Sequence, residues 1–339
     1  MADPWVVWLI IALALAFDFI NGLHDAANSI ATVVSTRVLS PRWAVVWAGV
    51  FNMIAYLIFP AHVAATIGKG TVHPESITLA IVAGGLIGAI LWNVLTWYWG
   101  LPSSSSHALV GGFAGAALAA AGPQALILGS PTQKGIIQIG VFIFVAPLIG
   151  MALGWLIMIA TYWIFRSATP SRVSKLFRRL QLVSAAAYSI GHGGNDAQKT
   201  MGIIMAVLIA SGDLAKGTAE PPLWVAIACY GAMGLGTLLG GWRIVKTMGQ
   251  KICKLQPVHG FAAETGGALT LYGATWFGIP VSTTHTITGS ILGVGSTRGI
   301  HAVKWGVATR VLWAWVLTIP AAATVGAGLW YLFAFLGWR

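Results

Sequence analysis

A chain of 339 residues that is 57% hydrophobic and only 8% charged, with a mean hydropathy of +0.82, carries more apolar surface than one soluble core can bury. A soluble enzyme or binding module is excluded, and the chain reads as an integral membrane protein. The net charge of +11 would suit nucleic acid, but the basic residues gather in loops between apolar runs, which is the pattern of cytoplasmic loops and not of a nucleic-acid arm.

Seven apolar runs, each near the roughly 20 residues a helix needs to cross a bilayer, cover 5–35, 43–65, 76–99, 136–165, 180–210, 223–242 and 305–335. Their apolar residues do not alternate as in a barrel strand, so the runs read as helices. The first lacks the basic segment and small-residue cleavage site of a leader and is expected to be retained. Inside it lies GLHDAANS, 22–29, whose glycine and amides are expected to break the helix at Asp25. After the third run, GLPSSSSHALVGG, 100–112, sets four serines and a histidine in apolar surroundings, and 76–121 is expected to form a re-entrant hairpin opening outward. The basic stretch RSATPSRVSKLFRR, 166–179, reads as a cytoplasmic linker on the anionic inner leaflet, between an N-terminal unit 1–165 and a C-terminal unit 180–339.

The second unit repeats the first. GGNDAQKT, 193–200, sets Asp196 opposite Asp25, and GIPVSTTHTITGS, 278–290, sets Pro280 opposite Pro102 and His285 opposite His107. Two matched pairs in the same order, at nearly the same spacing, mark an internal duplication. Cys229 in a membrane run and Cys253 in a basic loop are not placed for a mutual disulfide.

With both termini outside, thirteen of the 19 Lys and Arg residues face the cytoplasm, among them Arg37, Arg42, Arg166 and Arg243. Lys69, Lys134, Lys216 and Arg339 fall outside, while Lys199 and Arg310 lie in membrane runs. Asp3, Glu75, Asp213 and Glu220 are outside, which leaves Asp18, Asp25, Asp196 and Glu264 within the membrane. The first half then begins outside and the second inside. The expected fold is an all-α polytopic membrane protein built from two inverted-topology repeats, each with a broken helix and a re-entrant helical hairpin. That arrangement is a signature of secondary transporters, whose sites lie at the midplane where the repeats meet.

The hairpins have chemistry to offer there. A helix start presents unpaired N–H groups and the positive end of a dipole, which suits an oxyanion. Ser104, Ser105 and Ser106 in one half and Ser282, Thr283 and Thr284 in the other add small uncharged donors, with one hydroxyl of each run expected to cap its helix. Asn28 and Asn195 would supply amides to the same anion. Carboxylates in a membrane are costly and mark function by default, so Asp25 and Asp196 are expected to hold a transported cation or a proton; no tightly bound metal is expected. Glu264, with Leu86 at the equivalent place in the first half, is a further coupling candidate, and Asp18 is expected to cap or brace the first helix. His107 and His285 read equally as ligands or as hydrogen-bonding partners inside the hairpins. Gly111, Gly112, Gly289 and Gly293 would permit close helix packing. GHGGND, 191–196, has no preceding strand and is not a nucleotide loop.

The paired motifs G-x-N/H-D-x-x-N/K and G-x-P-x-S/T-S/T-S/T-H resemble those of the inorganic phosphate transporter (PiT) family over essentially the whole chain. The resemblance implies import of inorganic phosphate by symport with H⁺ or Na⁺, with alternating access, no cofactor, no enzyme activity and a homodimer in a bacterial inner membrane. His24 stands where sodium-coupled members carry Asn, and Lys199 stands where the first motif has Asn28. Both departures resemble the bacterial low-affinity branch, which is linked to protons and to phosphate complexed with Mg²⁺ or another divalent metal. His24 is therefore a proton-coupling candidate, and Lys199 a built-in substitute for a coupling cation. Two other functions remain open from sequence: a sulfate or other tetrahedral oxyanion transporter on the same scaffold, and an intramembrane hydrolase using Ser105 or Ser106 with a histidine and an aspartate.

Overall fold

A computed structural model describes residues 3–130, 135–215, 218 and 220–338 of the chain. Lys134, Lys216 and Arg339, three of the basic residues assigned to the outside, lie beyond the described residues, as does the side chain of Lys69. Among the described residues the fold is helical without strands, and Val72 and Leu126 form an isolated bridge.

Helix α1 (Pro4–Ser35) is followed by α2 (Pro41–Ile54) and α3 (His62–Gly70), which belong to one element bent by 86°. Pro60, lacking an N–H, sits in that bend. The first hairpin is α4 (Leu79–Trp99) with α5 (Ser105–Ala121), and α6 (Ile136–Ile164) closes the half. The second half runs α7 (Pro170–Ser211), α8 (Leu223–Leu239), α9 (Trp242–Lys246), the hairpin α10 (Pro257–Trp276) with α11 (Thr283–Ser296), and α12 (Trp305–Phe335). The α8–α9 element is bent by 61°, with Gly240 at φ +69° in the bend. Helix α7 begins inside the basic stretch, so residues 170–179 are its first turns.

The packing is duplicated like the sequence. Helix α1 packs on α8 as α7 packs on α2, α4 packs on α1 as α10 packs on α7, and α5 packs on α12 as α11 packs on α6. Helices α1, α4, α6 and α12 are long and apolar enough to cross a bilayer, and the two bent pairs raise the number of such spans to six. Their outer faces expose Phe144, Leu148, Trp313 and Leu317, as a lipid-facing surface requires.

Both hairpins break where the sequence indicates. Gly100 and Gly278 take left-handed φ values of +66° and +68°, ending α4 and α10, and Pro102 and Pro280 follow. Ser104 and Ser282 then cap α5 and α11, each Oγ accepting from the N–H three residues on at 3.2 Å. The other expected break is elsewhere. Helices α1 and α7 run unbroken through 22–29 and 193–200, and the bent elements are α2–α3 and α8–α9. The glycines at 22 and 193 serve close approach instead: a Cβ at Gly22 would lie 2.1 Å from the Met233 carbonyl oxygen, and one at Gly193 2.3 Å from that of Asn52.

Candidate functional site

The two unbroken helices bring Asp25 and Asp196 together where the hairpins start. One ligating atom each from Asp25, His192 and Asp196 lies within 4.8 Å of the others, and all three residues are buried. Such a cluster of carboxylates cannot stand uncompensated in a membrane interior. Its compensation comes from both halves of the chain.

Lys199, on the same face of α7 as Asp196, is completely enclosed. Its ammonium donates to Asp196 Oδ1 at 2.5 Å, to Ser106 Oγ at 2.5 Å and to the Val281 carbonyl at 2.7 Å. The three donors of one lysine thus tie α7 to the start of α5 in the first half and to the hairpin turn of the second. Asp196 Oδ2 also accepts from Thr283 Oγ1 at 3.0 Å. The equivalent residue of α1, Asn28, makes the reciprocal crossing: its Nδ2 donates to Thr283 Oγ1 at 3.2 Å and to Thr284 Oγ1 at 2.9 Å, at the start of α11. Thr284 Oγ1 in turn donates to Asp25 Oδ1 at 3.4 Å. Each motif helix therefore grips the hydroxyl run of the opposite half.

His24 and Asn195, which precede the two aspartates, both hold hairpin turns. His24 Nδ1 lies 2.6 Å from Asp25 Oδ1, while its Nε2 lies 3.1 Å from Thr96 Oγ1 and 3.4 Å from Ser103 Oγ. Asn195 donates to Thr275 Oγ1 and to the Ile279 carbonyl, and its Oδ1 accepts from the Val281 N–H. Both polar ends of this amide are engaged in the turn. Ser105 is fully buried, and its hydroxyl has no hydrogen-bond partner among the described residues, next to the Lys199-bound Ser106.

His192 is a site residue that the sequence analysis does not single out, although its position four residues before Asp196 puts both on one helix face. Asn52 Nδ2 donates to Thr237 Oγ1, which leaves its Oδ1 to accept from His192 Nδ1 at 3.1 Å. Nε2 of His192 then faces Asp196 Oδ2 at 3.3 Å.

His107 and His285 meet each other, with ring centroids 4.8 Å apart, and His285 stacks on Trp315 at 3.8 Å. They pack hairpin on hairpin and contact neither aspartate. Ser106 is engaged by Lys199, and both ring nitrogens of His107 lack a hydrogen-bond partner among the described residues, so no Ser-His-Asp relay forms. Glu264 lies apart. It accepts from Gln181 Nε2 at 2.9 Å and from Ser184 Oγ at 2.5 Å, and Ser184 is about 18 Å along α7 from Asp196 at 1.5 Å per residue. Glu264→Gln, which keeps an acceptor for one partner, is expected to leave phosphate uptake within two-fold of the unaltered protein, measured in proteoliposomes.

Each hairpin tip is latched by the bent element of the other half. Thr66 of α3 donates to the Gly278 carbonyl at 2.7 Å, and His62 Nδ1 lies 3.0 Å from the Trp276 carbonyl. Thr247, just beyond α9, donates to the Gly100 carbonyl at 2.9 Å, and Arg243 donates to the Tyr98 carbonyl at 2.5 Å. Gln198, three residues from Asn195, caps the start of α3, with Oε1 accepting from the Val63 N–H at 2.9 Å. Neither the latches nor this cap left a signal in the sequence, because each joins residues more than a hundred positions apart.

The family model of the phosphate transporter family matches residues 21–326, a span that holds both motif pairs and both hairpins. The chain belongs to the phosphate transporter family. A probable low-affinity inorganic phosphate transporter of Rhizobium meliloti (strain 1021) is 54% identical over 96% of both chains. One described in the same words from Bacillus subtilis (strain 168) is 47% identical, again over 96% of each. The solved structure of a sodium-dependent phosphate transporter superposes with a TM-score of 0.88 at 24% identity, covering 97% of this chain and 99% of that one, and shows the fold to be shared. Family membership bears out the resemblance read from the paired motifs, and it places the chain among transporters and not among hydrolases.

Proposed function

We propose that this phosphate transporter family member imports inorganic phosphate by symport with H⁺ or Na⁺, at a midplane site where inverted repeats meet. The observation that carries this reading is the reciprocal crossing: Lys199 on Ser106 at the start of α5, and Asn28 on Thr283 and Thr284 at the start of α11. Two capped helix starts, with their hydroxyls and a lysine, form a cradle for a tetrahedral anion. Asp25 and Asp196 beside it accept hydrogen bonds from HPO₄²⁻, which sulfate cannot donate, so phosphate is favoured over sulfate. Ser105, Ser106, Thr283 and Thr284 meet the anion, Ser104 and Ser282 hold the helix starts, and Asp25, Asp196 and His192 form the place for a cation carried with the anion.

Lys199 takes the place of one coupling cation, because its ammonium already neutralises Asp196. Alternating access then opens one latched hairpin tip at a time, with Thr66 and His62 on one side and Thr247 and Arg243 on the other. The charge distribution supports termini outside and the basic turns of α7 on the cytoplasmic leaflet.

The test is uptake of radiolabelled phosphate by proteoliposomes holding the purified chain, under a pH gradient, a Na⁺ gradient or neither, each with and without Mg²⁺ and excess sulfate. Accumulation driven by one of the gradients and resistant to sulfate is expected. Sulfate accumulation without phosphate accumulation would replace the substrate. Equilibration without accumulation under either gradient would make the protein a passive channel.

A further inference from the structure

Asp18 is a buried acid that the site just described does not use. It is 0% exposed, and neither carboxylate oxygen has a hydrogen-bond partner among the described residues. The side chains of Asn21, one turn on in α1, and of Thr200 in α7 face it, and the Asn21 carbonyl oxygen and Thr200 hydroxyl are themselves without partners. A buried acid in a membrane helix with no ion pair of its own is a candidate functional group by default.

The groups that interact with it electrostatically are Asp196 and Lys199 on α7 and Cys229 and Tyr230 on α8. Helices α2 and α4, which also pack on α1, carry no titratable side chain except Arg42 and Tyr98 near their ends. Tyr230 lines a cavity of about 270 Å³ together with Tyr56, Pro60, Gln198 and Glu220. Asp18 sits on α1, the helix that packs both on α8, which carries Tyr230, and on α7, which carries the Asp196–Lys199 pair. It belongs to one half only, because the duplication puts Ser189 at the equivalent place on α7.

We propose that Asp18, enclosed by Asn21 and Thr200, is a proton-binding site loaded from the cavity at Tyr230, and that its proton drives phosphate accumulation. The inference rests on the phosphate-symport reading above and assigns its coupling ion. Asp18 takes up one proton on the cavity side and becomes neutral; it gives up that proton when the opposite side opens. No other bond changes.

Two measurements on the full chain in proteoliposomes separate the outcomes: accumulation of radiolabelled phosphate under a pH gradient, and phosphate counterflow, which needs no driving ion. Asp18→Asn is expected to lose accumulation at least ten-fold while counterflow stays within two-fold, and Asp18→Glu is expected to restore accumulation. Unchanged pH-driven accumulation in Asp18→Asn would overturn the assignment. Absence of counterflow in the unaltered protein would instead sink the phosphate reading. Infrared difference spectra across a pH step read the carboxyl directly, whatever the transport result. A protonated-carboxyl band that shifts in Asp18→Glu is expected, and a spectrum identical to that of the unaltered protein would also overturn the assignment. The Glu variant keeps this reading open should Asp18→Asn fail to fold.

Discussion

Lys199→Asn should convert the protein into one that needs an added cation to carry phosphate. The ammonium donates to Asp196, Ser106 and the Val281 carbonyl within one enclosed site, so its loss frees three acceptors and one negative charge at once. Removing one partner of a buried ion pair costs about 3–5 kcal/mol, because the remaining charge is left uncompensated. An asparagine reproduces the amide found at Asn28 but not the charge. Without added Na⁺, phosphate uptake should fall at least ten-fold and the melting temperature should drop. With Na⁺ raised, both should recover in part, since a cation beside Asp25, His192 and Asp196 replaces the lost charge. The double variant Asp196→Asn with Lys199→Asn separates stability from function, because it leaves no unpaired charge. It should melt near the unaltered protein yet transport poorly. An unchanged ion dependence of uptake in Lys199→Asn would show that the lysine does not stand in for a cation.

The parts of this site most legible in the sequence are the duplicated ones, and Lys199 stands out as a departure from the pair. Asp25 with Asp196, and the hydroxyl run at 104–106 with that at 282–284, announce themselves because each occurs twice in the same order. The hairpin breaks were legible as well, since Gly100 and Gly278 adopt a backbone that glycine allows and Pro102 and Pro280 stop the helix from continuing. Glycine misled at positions 22 and 193. A glycine beside an amide and an acid reads as a break, yet here it admits a neighbouring carbonyl while the helix continues. Composition does not distinguish these uses; the distance to the partner backbone does. The long-range partners were invisible for a different reason. His192 finds Asn52, Thr66 finds Gly278 and Thr247 finds Gly100 through helix packing that one sequence does not encode locally. The separation of Glu264 from the aspartates likewise follows from where Gln181 and Ser184 fall along α7.

Closing the backbones of α5 and α11 against their supports should matter more than any single hydrogen bond. Four glycines mark those contacts in matched pairs. A Cβ at Gly289 would lie 2.1 Å from the Pro147 carbonyl oxygen, and one at Gly293 2.0 Å from that of Met151, both on α6. The counterparts on α5 face α12: Gly111 would meet the Ile319 carbonyl at 2.7 Å and Gly115 that of Ala323 at 2.2 Å. In each case the obstacle is backbone, so no rotamer change makes room and the helices themselves must separate. Lipid offers no hydrophobic drive to hold helices together once this contact is lost, because the tails are as apolar as the residues they would replace. Gly289→Leu is therefore expected to cost more than the roughly 1–3 kcal/mol of ordinary overpacking. The shift would also carry Thr283 and Thr284 away from Asn28 and Asp196, since they occupy the first turn of the same short helix. Thermal unfolding of the purified variant should show a large fall in melting temperature, and uptake should be lost in whatever fraction survives. Gly328→Ala supplies the control within a membrane helix. Nothing lies within 4 Å of its added carbon, and alanine is the better helix former by about 1 kcal/mol. That variant should be as stable as the unaltered protein or slightly more so. A Gly289→Leu protein that melts with the control and still carries phosphate would mean that α11 is not clamped on α6 during transport, and that the hairpin moves independently of its support.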